Sequence, residues 1–109
     1  MATMNELATR MLQKLGVIEA SEEPAAADLQ KAVEKIRAAQ YALEAEGLVR
    51  WTLADVPNYA QEPLVMMAAF LGADDFKQER DPSWMAQGLT MVQRGVNNSR
   101  VSTVHTEYF

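Results

Sequence analysis

The run Leu64-Val65-Met66-Met67-Ala68-Ala69-Phe70-Leu71 carries no polar side chain on any side. Read as a helix, it has no face to give to water, and such a helix sits at the centre of a small domain. Every other segment must then serve to cover it. Even extended to Ala73, the run is about half of the roughly 20 residues a membrane crossing needs, so burial within protein is the expected outcome. A chain of 109 residues has room for one core of this kind and not for two. With 49% hydrophobic and 23% charged residues, its composition is that of a folded globular domain.

The preceding segments supply amphipathic cover. Met4, Leu7, Met11 and Leu15 recur at spacings of three and four, with Ala8 and Leu12 alongside, and Gly16 stands where a left-handed residue closes a helix. Pro24 suits the first turn of a second helix, and Glu22, Glu23 and Asp28 favour the positive end of its dipole. On that helix Leu29, Val33, Ile36, Gln40 and Leu43 form one face, with Ala32 and Ala39 beside it, and Gly47 is the second stop. Residues 48–53 alternate weakly and read as extended. Pro57 and Pro63 bracket a loop, with Pro63 expected in the first turn of the apolar helix and Asp74 and Asp75 at its end.

Asp81-Pro82 marks the start of a fourth helix, a capping side chain ahead of a first-turn proline. Trp84, Gly88, Met91, Val92 and Gly95 share a face of it, and the two glycines, seven residues apart, invite the close approach of another helix. Met85 lies off that face, where it can touch a neighbouring subunit. Residues 99–109 are rich in β-branched and aromatic types and contain neither glycine nor proline, a composition that favours extended backbone. The expected architecture is all-α: a small bundle of about four helices over residues 1–98 and an extended C-terminal arm over residues 99–109. A lone strand has no partner in a helical domain. The arm therefore reads as a docking segment, with Arg100, Val101, Val104, His105, Tyr108 and Phe109 as its contact residues.

The same residues argue against chemistry. No cysteine is present, so disulfide frameworks, thiolate metal sites and thiol nucleophiles are excluded, and the sole histidine, His105, lies in the arm with nothing to orient it. The adjacent carboxylates Glu22/Glu23 and Asp74/Asp75 read as capping or solvated groups at helix ends. Glu44 and Glu46 diverge by about 200° around a helix, so they cannot converge on one atom. The glycines form no phosphate-binding loop, and the seven methionines read mainly as core. Expected, then, are no enzyme activity, no cofactor and no metal. A basic start followed by an apolar core, the mark of a signal peptide, is not seen at the N-terminus. The net charge is −5: residues 1–47 and 48–81 each carry −3, and residues 82–109 carry +1. That balance disfavours gripping nucleic-acid phosphates.

Several of these elements together form a pattern. The order Leu7-Ala8-Thr9-Arg10-Met11-Leu12-Gln13-Lys14-Leu15-Gly16-Val17, then Glu22-Glu23-Pro24, the helix through Ile36 and Tyr41, Glu46-Gly47-Leu48 and the later apolar helix resembles the head-to-tail adaptor family of short-tailed bacteriophages. These are also called head-completion, tail accessory or packaged-DNA stabilisation proteins. The resemblance covers about the first two-thirds of the chain. Its motifs are helix stops and apolar positions, and Tyr41 stands where family members often carry a tryptophan closer to the Gly-Leu pair.

The resemblance implies a structural virion protein made in the bacterial cytoplasm and located at the head–tail junction. About twelve copies would form a ring beneath the portal protein, extend the DNA channel and give the tail or nozzle protein its platform. DNA would pass through without specific binding, and no membrane would be involved. The family's C-terminal arm commonly reaches the portal, which matches the arm singled out on composition. Lys31, Glu34, Lys35 and Arg37, charges of both signs on the second helix, are candidates for subunit–subunit contact. The competing reading is a small bacterial helical protein-interaction module that forms no ring. A cell-wall hydrolase would need a converging carboxylate pair and a helix–turn–helix DNA reader a basic recognition helix, and the spacing supports neither.

Overall fold

A computed structural model of the chain describes residues 3–19, 21–79 and 81–108, with side chains described through Asn97. Four helices follow one another: α1 (Met4–Leu15), α2 (Ala26–Ala45), α3 (Asn58–Gly72) and α4 (Trp84–Tyr108). No strand occurs among the described residues, so the chain is all-α as the sequence predicts. Nor is any helix, among the described residues, long and apolar enough to cross a membrane.

The helix ends form where local chemistry places them. Thr3 Oγ1 accepts from the Glu6 backbone N–H at 3.1 Å, which satisfies one of the orphan donors of the first turn of α1. Gly16, at φ 77°, turns the chain out of that helix. The Val17 N–H then donates back to the Leu12 carbonyl at 3.0 Å. Gly47 repeats the device after α2 at φ 72°, with the Leu48 N–H on the Leu43 carbonyl at 3.1 Å. At both stops the residues that follow, Val17, Leu48 and Val49, pack against the core. Pro24 lies just outside α2, whose cap is Ala25.

α3 is the central element. Ala60 and residues 63–69 are buried on every side of it, and Gly72 is buried at its end. It packs against all three other helices, whereas α2 and α4 hardly touch each other. Leu7, Leu12, Ile36, Leu43, Leu64 and Val92 lie fully buried in the resulting core. The start of α3 differs from expectation: it begins at Asn58, so Pro63 is inside the helix and not in its first turn. An interior proline forfeits one backbone hydrogen bond and costs about 3 kcal/mol. Here the turn N-terminal to Pro63 is held independently. Pro57 sets the entry, the Ala60 N–H donates to the Pro57 carbonyl at 2.9 Å, and Gln61 Nε2 donates to the Val56 carbonyl and to Asn58 Oδ1, each at 3.2 Å. Residues 48–53, expected to be extended, form irregular backbone that crosses back over α2.

α4 runs antiparallel to α3, and the two glycines set their separation. A Cβ on Gly88 would lie 2.6 Å from Met67 Cγ and 3.0 Å from the Pro63 carbonyl oxygen, and one on Gly95 would enter the Tyr59 ring. The close approach expected from the sequence is therefore made, and α3 is the helix that makes it. At the N-terminus of α4, Asp81 Oδ1 accepts from the Ser83 backbone N–H (2.9 Å) and hydroxyl (2.6 Å), as expected of a capping residue.

The expected arm conformation is also corrected. The backbone does not become extended after residue 98, because α4 continues without a break to Tyr108. Strand preference is realised only against a partner strand, and none is present among the described residues. Extending a helix that already exists needs no new nucleus, and nothing after Gly95 stops it.

Candidate functional site

The contacts that hold the helices together also consume many of the charged groups. Arg10 Nη2 and Lys14 Nζ on α1 reach the Glu62 carboxylate on α3 at 2.8 and 3.3 Å. Lys14 also stands 5.3 Å from the centre of the Trp84 ring, which ties α1 to the start of α4. Lys35 on α2 pairs with Asp75 after α3 at 3.0 Å. Of the four α2 charges proposed for subunit contact, Lys35 is thus engaged within its own chain, while Lys31, Glu34 and Arg37 are exposed. Asp75 acts as the partner of Lys35, and Glu22 Oε1 accepts from the Glu19 N–H at 3.3 Å, so each adjacent carboxylate pair has a member in a structural contact.

Among the described residues, Asp81 is the one group whose acidity departs from its ordinary value. The Ser83 hydroxyl, and then the Ser83 N–H, stabilise its charged form and hold its pKa below the usual 3.8. Among the described residues no group of three or more His, Cys, Asp or Glu side chains could hold a metal ion. Nor does any buried side-chain polar atom among them lack a partner. Arg100, Val101, Val104, His105 and Tyr108 lie on the backbone of α4, but their side chains, like all of Phe109, fall outside the described residues.

Two hollows on the described surface carry an exposed large hydrophobic side chain. The first is a hollow of about 360 Å³ on α2, lined by Arg37, Gln40, Tyr41, Glu44 and the crossing segment Trp51-Thr52-Leu53. The Trp51 indole forms its wall: Nε1–H donates to Gln40 Oε1 at 3.0 Å, and the ring meets Tyr59 edge-on with centroids 5.9 Å apart. Gln40 is the one buried polar residue among the described residues, and the indole gives its carbonyl a donor. Tyr41, next to it, is 70% exposed. The second feature is a shallow depression of about 420 Å³ on the outer side of α4, lined by Ala86, Gln87, Thr90, Met91 and Arg94. Met91 is 38% exposed, and Tyr41 and Met91 are the large hydrophobic residues that the described surface leaves in water.

Among the described residues no hydroxyl lining either feature, Tyr41, Thr52 or Thr90, hydrogen-bonds to a carboxylate. Both combine an apolar centre with flanking charge, the make-up of a protein-contact surface. The α2 hollow was not legible in the sequence as a site, because it exists only once residues 51–53 fold back onto α2. The Gln40 position on an apolar helix face was its one visible sign. No protein-family model, curated protein or solved structure matches the chain.

Proposed function

We propose that the chain is a structural virion protein, a head-to-tail adaptor that assembles as a ring under the portal, extends the DNA channel and carries the tail. The observation that supports it best is the reach of α4. Gly95 lies against Tyr59, in the first turn of α3. Val96 is still buried in the core, and the 12 residues of α4 that follow it, through Tyr108, continue the helix beyond that contact. At about 1.5 Å per residue that is a helical arm of roughly 20 Å, long enough to engage a neighbouring protein. The arm keeps the portal-binding part expected of the C-terminus while changing its conformation from extended to helical.

Charge supports the same reading. Each copy carries −5, and the surplus lies in residues 1–81. A ring that turns those residues toward its lumen repels the phosphate backbone and lets DNA slide without sticking. The arm, where Arg100 and Glu107 cancel, is free of that demand.

Mixing the protein with the portal ring encoded by the same genome, followed by electron microscopy, tests the proposal. A stoichiometric ring seated on the portal by the full chain, and lost when the chain ends at Asn98, is the expected result. Seating without the arm would move the contact to the helical body. Failure of both forms to associate overturns the adaptor reading in favour of a helical interaction module without a ring.

A further inference from the structure

The two surface features share one spacing. On α2 the exposed stripe is Arg37, Tyr41, Glu44, and on α4 it is Gln87, Met91, Arg94. Both follow the pattern i, i+4, i+7, which keeps the three side chains on one helix face. Laid parallel, the stripes bring Tyr41 onto Met91, Glu44 onto Arg94 and Arg37 onto Gln87 at the same time. Each pairing is favourable in kind. A thioether packs well against an aromatic ring. A guanidinium and a carboxylate form a charge-assisted pair, and an amide oxygen accepts from the second guanidinium. Among the described residues none of Arg37, Glu44 and Arg94 forms an ion pair within the chain, so all three are available.

We infer that α2 of one copy docks in parallel on α4 of the next through these two stripes. That the occupant is a second copy rests on the adaptor reading; the match of spacing and charge does not. Within one chain the stripes cannot meet, because α2 and α4 both pack against α3 and hardly touch each other. Each copy therefore offers one stripe of each kind on different sides of α3. Such a contact is head-to-tail, leaves an unused stripe at each end and propagates, giving a ring where the rotation per copy closes. A two-fold contact would instead have to pair α2 with α4 twice, reciprocally, and would close at the dimer with no larger species. The inference replaces the broader set of α2 charges: Arg37 belongs to the contact, whereas Lys35 is held by Asp75.

The absence of cysteine from the chain gives a clean test. The double variant Tyr41→Cys/Met91→Cys, oxidised at high concentration and on the portal ring, should give a ladder of cross-linked species beyond the dimer on a non-reducing gel. Mixing the two single variants should give dimers and nothing larger, and each single variant alone should give none. Because these substitutions remove the central pair, Arg37→Cys/Gln87→Cys is run beside them and should give the same ladder with Tyr41 and Met91 intact. Glu44→Arg in that background should weaken cross-linking at least tenfold, and adding Arg94→Glu should restore it. A ladder from neither pair, free or on the portal, overturns the contact. So does cross-linking by the single variants alone at the level of the pair. A portal-seated ring without the ladder would leave the adaptor reading standing and remove this contact; a ladder without portal association would do the reverse.

Discussion

Replacing Gly95 by alanine sets two effects of opposite sign against each other. In the interior of a helix this change ordinarily stabilises by about 1 kcal/mol, through backbone entropy. Here the new Cβ would lie 2.7 Å from Tyr59 Cγ and 2.9 Å from Cε2, and closer still to Cδ2. Carbon atoms pack best at about 3.5–4.0 Å, so the ring must retreat by roughly 1 Å. It is not free to do so, because its neighbour is the edge-on Trp51 ring, itself fixed by Gln40. Overpacking of this kind costs about 1–3 kcal/mol. Taking its midpoint against the helix gain leaves Gly95→Ala destabilising by about 1 kcal/mol, or roughly 4–8 °C in Tm for a domain of this size. In a Tyr59→Ala background the clash is gone and only the helix gain remains, so the same substitution should stabilise by about 1 kcal/mol. The coupling between the two sites is then about 2 kcal/mol, measurable by urea unfolding of all four proteins followed by circular dichroism. Tryptophan emission should also change in Gly95→Ala, since Trp51 shares the contact. An additive cycle, or a stabilised Gly95→Ala single variant, would refute the claim that α4 rests on Tyr59 at this point.

Other substitutions probe the remaining links. Leu64→Ala empties a fully buried position on the central helix and should cost about 2–5 kcal/mol in chemical unfolding, a large part of a small domain's stability. Gly47→Ala should cost about 1–2 kcal/mol through its left-handed backbone alone, because a Cβ there meets nothing within 4 Å; Gly47→Asn should cost less. Gln40→Ala removes the acceptor of the Trp51 indole and should destabilise by about 1–3 kcal/mol while altering tryptophan emission. For Asp81 the folded pKa lies below the unfolded one, so the carboxylate's contribution is present above pH 3.8 and is lost as pH falls through the lower folded value. The advantage of the wild type over Asp81→Ala in a Tm–pH series should accordingly be flat above that range and shrink below it.

What was legible in the sequence, and what was not, follows from how local each signal is. Gly16 and Gly47 were readable as stops because a left-handed residue is a one-residue requirement, and both have positive φ. The centrality of α3 was readable because an all-apolar helix has a single stable location. Gly88 and Gly95 could be read as a contact face, though not which helix would fill it. The start of α3 is not legible from Pro63 because first-turn preference describes proline in isolation; here Pro57 and the Gln61 bonds fix the entry a turn and a half earlier. The α2 hollow depended on a contact eleven residues apart, Trp51 to Gln40, for which no periodicity gives a sign. The arm was assigned from β propensity, which describes fit to a sheet and carries no weight where the described chain has none.

The arm also supplies a test of the helical backbone that needs no partner. Val101 lies in α4 beyond Gly95, the residue packed on the first turn of α3. Val101→Pro removes one backbone donor and places a ring against the carbonyl of residue 97, which breaks a helix interior. A short helix of this length, cut off from its nucleus, is marginal in water. The substitution should therefore abolish the helical Cα chemical shifts of residues 101–108 and leave those of α1, α2 and α3 unchanged. Tm should stay within about 0.5 kcal/mol equivalent of the wild type, as for a surface change away from the core. If the wild-type shifts of residues 101–108 already lie at extended or coil values, the proline would change nothing there. The arm would then revert to the extended form read from composition. If instead the proline lowers Tm substantially, those residues pack on the body, and α4 would not be a projecting arm at all. Only local loss of helix with an intact core fits a helix that is nucleated on α3 and reaches beyond it.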